Sequence, residues 1–142
     1  MIVKTKRMVR RAVIGGLLLL LLMLSCCTLL SEEKIKLSDL EFTVLSEEKI
    51  PEELKSLLEE RKSMPFQITY TDNENLYICV GYGKQSTGGY SITVEELYLT
   101  DTNICVDTGL LGPKEATGNN QVPSYPYIVI KTELLDKTVI FE

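Results

Sequence analysis

The run Gly81-Tyr82-Gly83-Lys84-Gln85-Ser86-Thr87-Gly88-Gly89-Tyr90 sets the tightest limit on what this chain can become. Outside the N-terminal region no other stretch gathers glycines so closely. Four of them in nine residues let the backbone take positive φ and turn sharply. Before the run, Leu76-Tyr77-Ile78-Cys79-Val80 is short and apolar; after it, Tyr90-Ser91-Ile92-Thr93-Val94 alternates apolar and polar residues at period two. Both flanks read as strands, so the glycine run is an irregular connection between them.

Most of the remaining chain carries the same period. Leu40, Phe42 and Val44 alternate with Glu41 and Thr43, and Phe66, Ile68 and Tyr70 line one face of a strand that starts at Pro65. Asp72-Asn73-Glu74-Asn75 has the composition of a hairpin turn. The strand from Tyr90 to about Thr100 loses its register at Glu95-Glu96, where a β-bulge is expected. Ile104 and Val106 face inward on the next strand, and Tyr127–Thr132 and Val139–Phe141 complete the set. Between Gly112 and Ser124 lies a long loop, of the kind that in compact domains is functional or mobile. One helix is expected, over residues 50–62. Pro51 suits its first position, Glu52 and Glu53 its positive end, Arg61 and Lys62 its negative end, and Leu54, Leu57 and Leu58 form an apolar stripe. The expected fold is mostly β: an antiparallel β-sandwich or curled sheet of about seven short strands with one N-terminal amphipathic helix.

The N-terminus reads as an export signal. Basic residues from Lys4 to Arg11 precede an apolar stretch, Ala12 to Leu24, that ends in Leu24-Ser25-Cys26-Cys27. A small residue directly before a cysteine at this point looks like a lipobox, with cleavage after Ser25 and acylation of Cys26; Cys27 is the alternative site. The rival is an uncleaved anchor, because Ala12 to Leu30 holds no charge over nineteen residues and is long enough to span a bilayer. Either way the chain beyond is expected on the extracytoplasmic face of the cell membrane. The domain plan is a lipoprotein signal peptide over 1–25, a polar tether over 26–38 and a single β-rich domain over 39–142.

Five of the fifteen basic residues and none of the twenty acidic ones precede the apolar stretch, so the mature chain carries a net charge of −10. That charge repels phosphate backbones and anionic headgroups, so no nucleic-acid partner is expected. The chain has no histidine. Ser-His-Asp and Cys-His catalysis and the usual zinc chemistry are thereby excluded, and no metal or cofactor is expected. Gly83-Lys84-Gln85-Ser86 lacks the order of a phosphate-binding loop and leads into a strand where a helix is needed, which removes a nucleotide site. Glu95 and Glu96 point to opposite faces of a regular strand and make no acid–base pair. With no catalytic set and no small-molecule substrate, the chain reads as non-enzymatic. Cys79 and Cys105 fall in neighbouring strands, but Cys105 shares its face with Asn103 and Asp107 while Cys79 sits in an apolar run; two free thiols are favoured over a disulfide.

Thr87-Gly88-Gly89-Tyr90-Ser91-Ile92, followed by Ser124-Tyr125-Pro126-Tyr127-Ile128-Val129-Ile130, resembles the C-terminal domain of the protease complex subunit PrcB, over roughly residues 80–131. The resemblance implies a lipoprotein accessory subunit that associates with a surface subtilisin-like protease and supports its stability or assembly. It favours Thr87, Gly88, Gly89 and Tyr90, with Tyr125, Pro126 and Tyr127, as protein-binding residues on a rigid sheet. The competing reading makes the glycines a plain turn and Tyr127 a strand residue. Two other functions stand beside this one. The first is a protease-inhibitor-like module, for which an asparagine-proline and an arginine-proline-aromatic element are missing. The second is a structural cell-envelope protein without a protease partner.

Overall fold

Alternation alone divides the side chains of the strand Asn75–Tyr82 between two cores. The computed structural model describes residues 34–114 and 122–142, and the apolar N-terminal stretch, Cys26 and Cys27 lie outside them. The strands are β1 (Ser38–Asp39), β2 (Thr43–Val44), β3 (Pro65–Thr71), β4 (Asn75–Tyr82), β5 (Ser91–Leu99), β6 (Asn103–Leu111), β7 (Tyr127–Glu133) and β8 (Thr138–Phe141). They form two four-stranded sheets, one in the order β1-β5-β6-β8 and the other β2-β7-β4-β3. Leu76, Ile78 and Val80 of β4 point between the sheets, where they meet Leu97, Ile104, Val106, Ile128 and Ile130. Tyr77 and Cys79 point the other way, onto the helix α1 (Glu52–Arg61), where Leu54, Leu58, Ile50, Phe66 and Val129 close a second core. The result is three layers: sheet, sheet, helix.

The expected β-sandwich with one helix is what forms, and the differences from the sequence reading are local. The Leu40–Val44 alternation does not make one strand. The chain pairs with β5 at Ser38–Asp39 and with β7 at Thr43–Val44, crossing from one sheet to the other at the edge of the sandwich. Leu40 is buried under this crossing, while Phe42 and Val44 stay exposed. Pro51 is the N-cap of α1 rather than its first helical residue. Of the leucine stripe, Leu54 and Leu58 are fully buried and Leu57 is half-buried against the same core. The bulge expected at Glu95-Glu96 is present: β5 and β6 shift register between Val94 and Glu96. All other pairings are antiparallel except β6 with β8, which is parallel.

Close approach explains one glycine. Gly81 pairs with Phe66 across β3 and β4, and a Cβ built on it would lie 2.2 Å from the Phe66 ring. The ring occupies the space a side chain would need. The hairpin turn is tied by Asp72, whose carboxylate accepts from the backbone N–H groups of Glu74 and Asn75 and from the Tyr77 hydroxyl, at 2.9, 2.7 and 2.7 Å. Those donors hold the Asp72 pKa well below the usual carboxylate range.

Cys79 and Cys105 are buried free thiols on opposite outer faces. Cys79 lies under α1, and burial pushes its pKa up to about 12. Cys105 pairs with Tyr98 on the outer face of the other sheet. Lys34 to Leu37 crosses that face. Leu37 donates its N–H to the Leu99 carbonyl at 2.8 Å, Lys36 lies 5.4 Å from the Tyr98 ring centroid, and Lys34 forms an ion pair with Glu142.

Candidate functional site

Strand register puts the two segments singled out in the sequence at one end of the sandwich. Gly81 pairs with Tyr127, and Ser91 with Leu111, so the connections after β4 and β6 and before β5 and β7 converge there. They are joined as well as adjacent. Gln85 donates its N–H to the Ser124 carbonyl at 2.8 Å, and Ser124 returns its own to Gln85 at 3.1 Å. The Ser124 hydroxyl donates to the Thr87 carbonyl at 2.6 Å, and the Gln85 side chain donates to the Tyr82 carbonyl at 3.0 Å. The Tyr82 N–H donates to the Pro126 carbonyl at 3.1 Å, continuing the β4–β7 ladder into the loops. Backbone groups of Gln85, Thr87, Ser124 and Pro126 that a mobile loop would leave to water are satisfied within the protein, so these segments form one surface.

The predicted residues differ in what they offer. Thr87 is half-buried and its carbonyl is committed to Ser124. Gly88 is exposed, and nothing lies within 4 Å of a Cβ built on it. Gly89 is also exposed, with φ of 85°, against Pro113. Of the four glycines in the run that permit positive φ, Gly89 uses it and so does Gly83, φ 70°, packed on Pro65, while Gly81 and Gly88 do not. Tyr90 is half-buried with its ring beside Gly112, and it precedes β5 rather than opening it. Tyr125 is 36% exposed, with the Lys62 ammonium 5.8 Å from its ring centroid. That is within cation–π range. Pro126 is half-buried. Tyr127 is a strand residue packed against the helix core, and burial raises its pKa. On their other side Tyr125, Pro126 and Tyr127 line a shallow groove of about 320 Å³ with Val44, Leu45, Glu47 and Ile50.

Sequence reasoning missed part of the surface. Met64, Val122 and Leu111 are 70%, 63% and 50% exposed around the joined loops. The only available signal was phase, since each lies at or beyond a strand end where alternation no longer dictates burial. Lys62 was read as a helix-terminal charge, and its position over Tyr125 depends on α1 ending where the Pro123–Tyr127 segment returns. Among the described residues no group of three or more Cys, Asp and Glu is placed to hold a metal ion.

Fold and loops together define a β-sandwich in which the segments around Gln85 and Ser124 are joined at one end. Residues 76–133, from β4 through β7, match the family model described as PrcB C-terminal. Both loops fall within the matched stretch. No curated protein and no protein of solved structure matches the chain.

Proposed function

We propose that this chain is a non-enzymatic, lipid-anchored accessory subunit on the extracytoplasmic face of the membrane, binding a protein partner, a protease, through the joined loops. The observation that carries the reading is the PrcB C-terminal match, whose span includes both loops. Hydrogen bonds between Gln85 and Ser124 support it, because a preordered surface loses little entropy on docking. Tyr125 is its best anchor, being exposed, aromatic and held by Lys62.

Tyr125→Ala is expected to weaken partner binding by about 1–3 kcal/mol while leaving the unfolding midpoint near that of the wild type. A sharp loss of stability with unchanged binding would make Tyr125 structural. Co-purification from solubilised membranes, followed by protease assay, separates the roles: an accessory subunit raises the yield of active protease, whereas an inhibitor lowers turnover. An envelope protein unconnected to proteolysis does neither.

The anchor is tested separately. Cys26→Ala is expected to abolish lipid labelling and leave an uncleaved precursor. Labelling that survives Cys26→Ala but is lost in Cys27→Ala moves the site by one residue, and no labelling of the wild type favours the membrane-spanning anchor.

A further inference from the structure

The edge strands of the two sheets are unequal. β1 and β2 have two residues each and β8 has four, but β3 has seven. Long edges are ordinarily blunted by charge or by a bulge, because their free backbone groups invite another strand. β3, Pro65-Phe66-Gln67-Ile68-Thr69-Tyr70-Thr71, holds no charged residue, and it pairs with β4 along its whole length without a shift of register. Among the described residues nothing pairs with its outer edge.

The ladder fixes which backbone groups that edge presents. The Tyr82 N–H donates to Pro126 and the Glu74 carbonyl accepts from Leu134, so the even-numbered residues along β4 bond to β7. The odd-numbered ones bond to β3, opposite Phe66, Ile68 and Tyr70. The N–H and C=O groups of Gln67, Thr69 and Thr71 therefore point outward. The edge is also complementary to itself. A two-fold axis through Ile68, normal to the sheet, sets Gln67 opposite Thr69 of a second copy, where the two exchange both backbone hydrogen bonds. The Thr71 N–H meets the Pro65 carbonyl, and the donor that Pro65 lacks falls at the margin. Phe66 stands across from Tyr70 on the face under α1, an aromatic cross-strand pair.

The charges of α1 match the same axis. The Tyr70 hydroxyl donates to Glu53 at 2.8 Å, which places the helix flank of Glu53, Leu57, Glu60 and Arg61 on the β3 side. The chain reverses between α1 and β3, so Glu53 stands at the Tyr70 end and Arg61 at the Pro65 end. Arg61 is exposed and has no carboxylate partner among the described residues. The two-fold turns Arg61 of each copy towards Glu53 of the other and offsets the charge of Glu60 on the same flank. Leu54 and Leu58 pack with Phe66 of β3, Cys79 of β4 and Val129 of β7, so the helix lies over β4 and leaves the edge clear. We infer that β3 pairs antiparallel with β3 of a second copy of this chain, about Ile68, and joins the two sheets into one. The joined loops of the two copies then lie at opposite ends, outside the interface.

The test uses the full chain in the cells that make it, with a photoreactive phenylalanine analogue in place of Gln67. The expected result is a cross-link to residues 65–71 of a second copy. Thr69→Pro removes a donor that the β3–β4 ladder does not use. It is expected to cut the cross-link by roughly tenfold while the unfolding midpoint stays near that of the wild type. Arg61→Glu is expected to weaken the cross-link several-fold, and Arg61→Glu combined with Glu53→Arg to restore it. A cross-link that maps outside residues 65–71 of the second copy, or that is indifferent to both Thr69→Pro and the charge exchange, overturns the inference. A cross-link within one chain shows the edge already covered, and one to a different protein gives it to a partner's strand; either overturns self-pairing, as does the absence of any cross-link.

Discussion

Leu58→Ala is expected to lower the free energy of unfolding by about 2–5 kcal/mol, read as a shift in the denaturant midpoint with unchanged slope. Leu58 is fully buried between α1 and the outer face of the sheet, beside Leu54, Phe66, Cys79 and Val129. Its removal leaves a cavity under a helix only ten residues long. Such a helix has little stability of its own and depends on this contact to persist. Leu54→Ala should behave alike, and half-buried Leu57→Ala should cost less. A Leu58→Ala midpoint no lower than that of exposed Glu60→Ala would mean that α1 is not docked.

Gly81→Ala is expected to destabilise by about 1–3 kcal/mol although it adds a single methyl group. The new Cβ would meet the Phe66 ring, which is buried in the core under α1 and would have to shift. Phe66→Ala alone is expected to cost about 3–5 kcal/mol. In the double variant the methyl group enters the space the ring has left, so the two costs should fall short of their sum by about 0.5–3 kcal/mol. Strict additivity would mean that ring and glycine are not in contact.

How legible these features were depended on the range of the interaction behind each. The bulge at Glu95-Glu96 could be read because a change of phase within one strand is a local signal, and so could the face shared by Phe66, Ile68 and Tyr70. The Leu40–Val44 segment was misread for an equally definite reason. Alternation records which side chains face inward, but not which sheet supplies the hydrogen bonds, and here the chain changes sheets between Asp39 and Thr43. The parallel pairing of β8 with β6 was invisible because nothing local distinguishes a parallel edge strand of four residues. For the site, glycine and proline marked both loops. The Gln85–Ser124 hydrogen bonds that join them are long-range contacts, and no periodicity encodes those. The backbone conformation at Gly88 was likewise unreadable, since composition shows where positive φ is permitted and not where it is used.

The position of β7 bears on the order in which the domain can be made. β7 lies between β2 and β4, a central strand of its sheet, yet it comes near the end of the sequence, and β8 follows it to finish the other sheet. Ile128 and Ile130 belong to the core between the sheets and Val129 to the core under the helix, so both cores await the same segment. Until it appears, the β3–β4 and β5–β6 hairpins can form from neighbouring residues, but β4 presents an open edge with Leu76, Ile78 and Val80 uncovered. Closure through such distant contacts is slow, and the open state is prone to wrong pairings. A chain cut short before Tyr127 can form two hairpins and no domain.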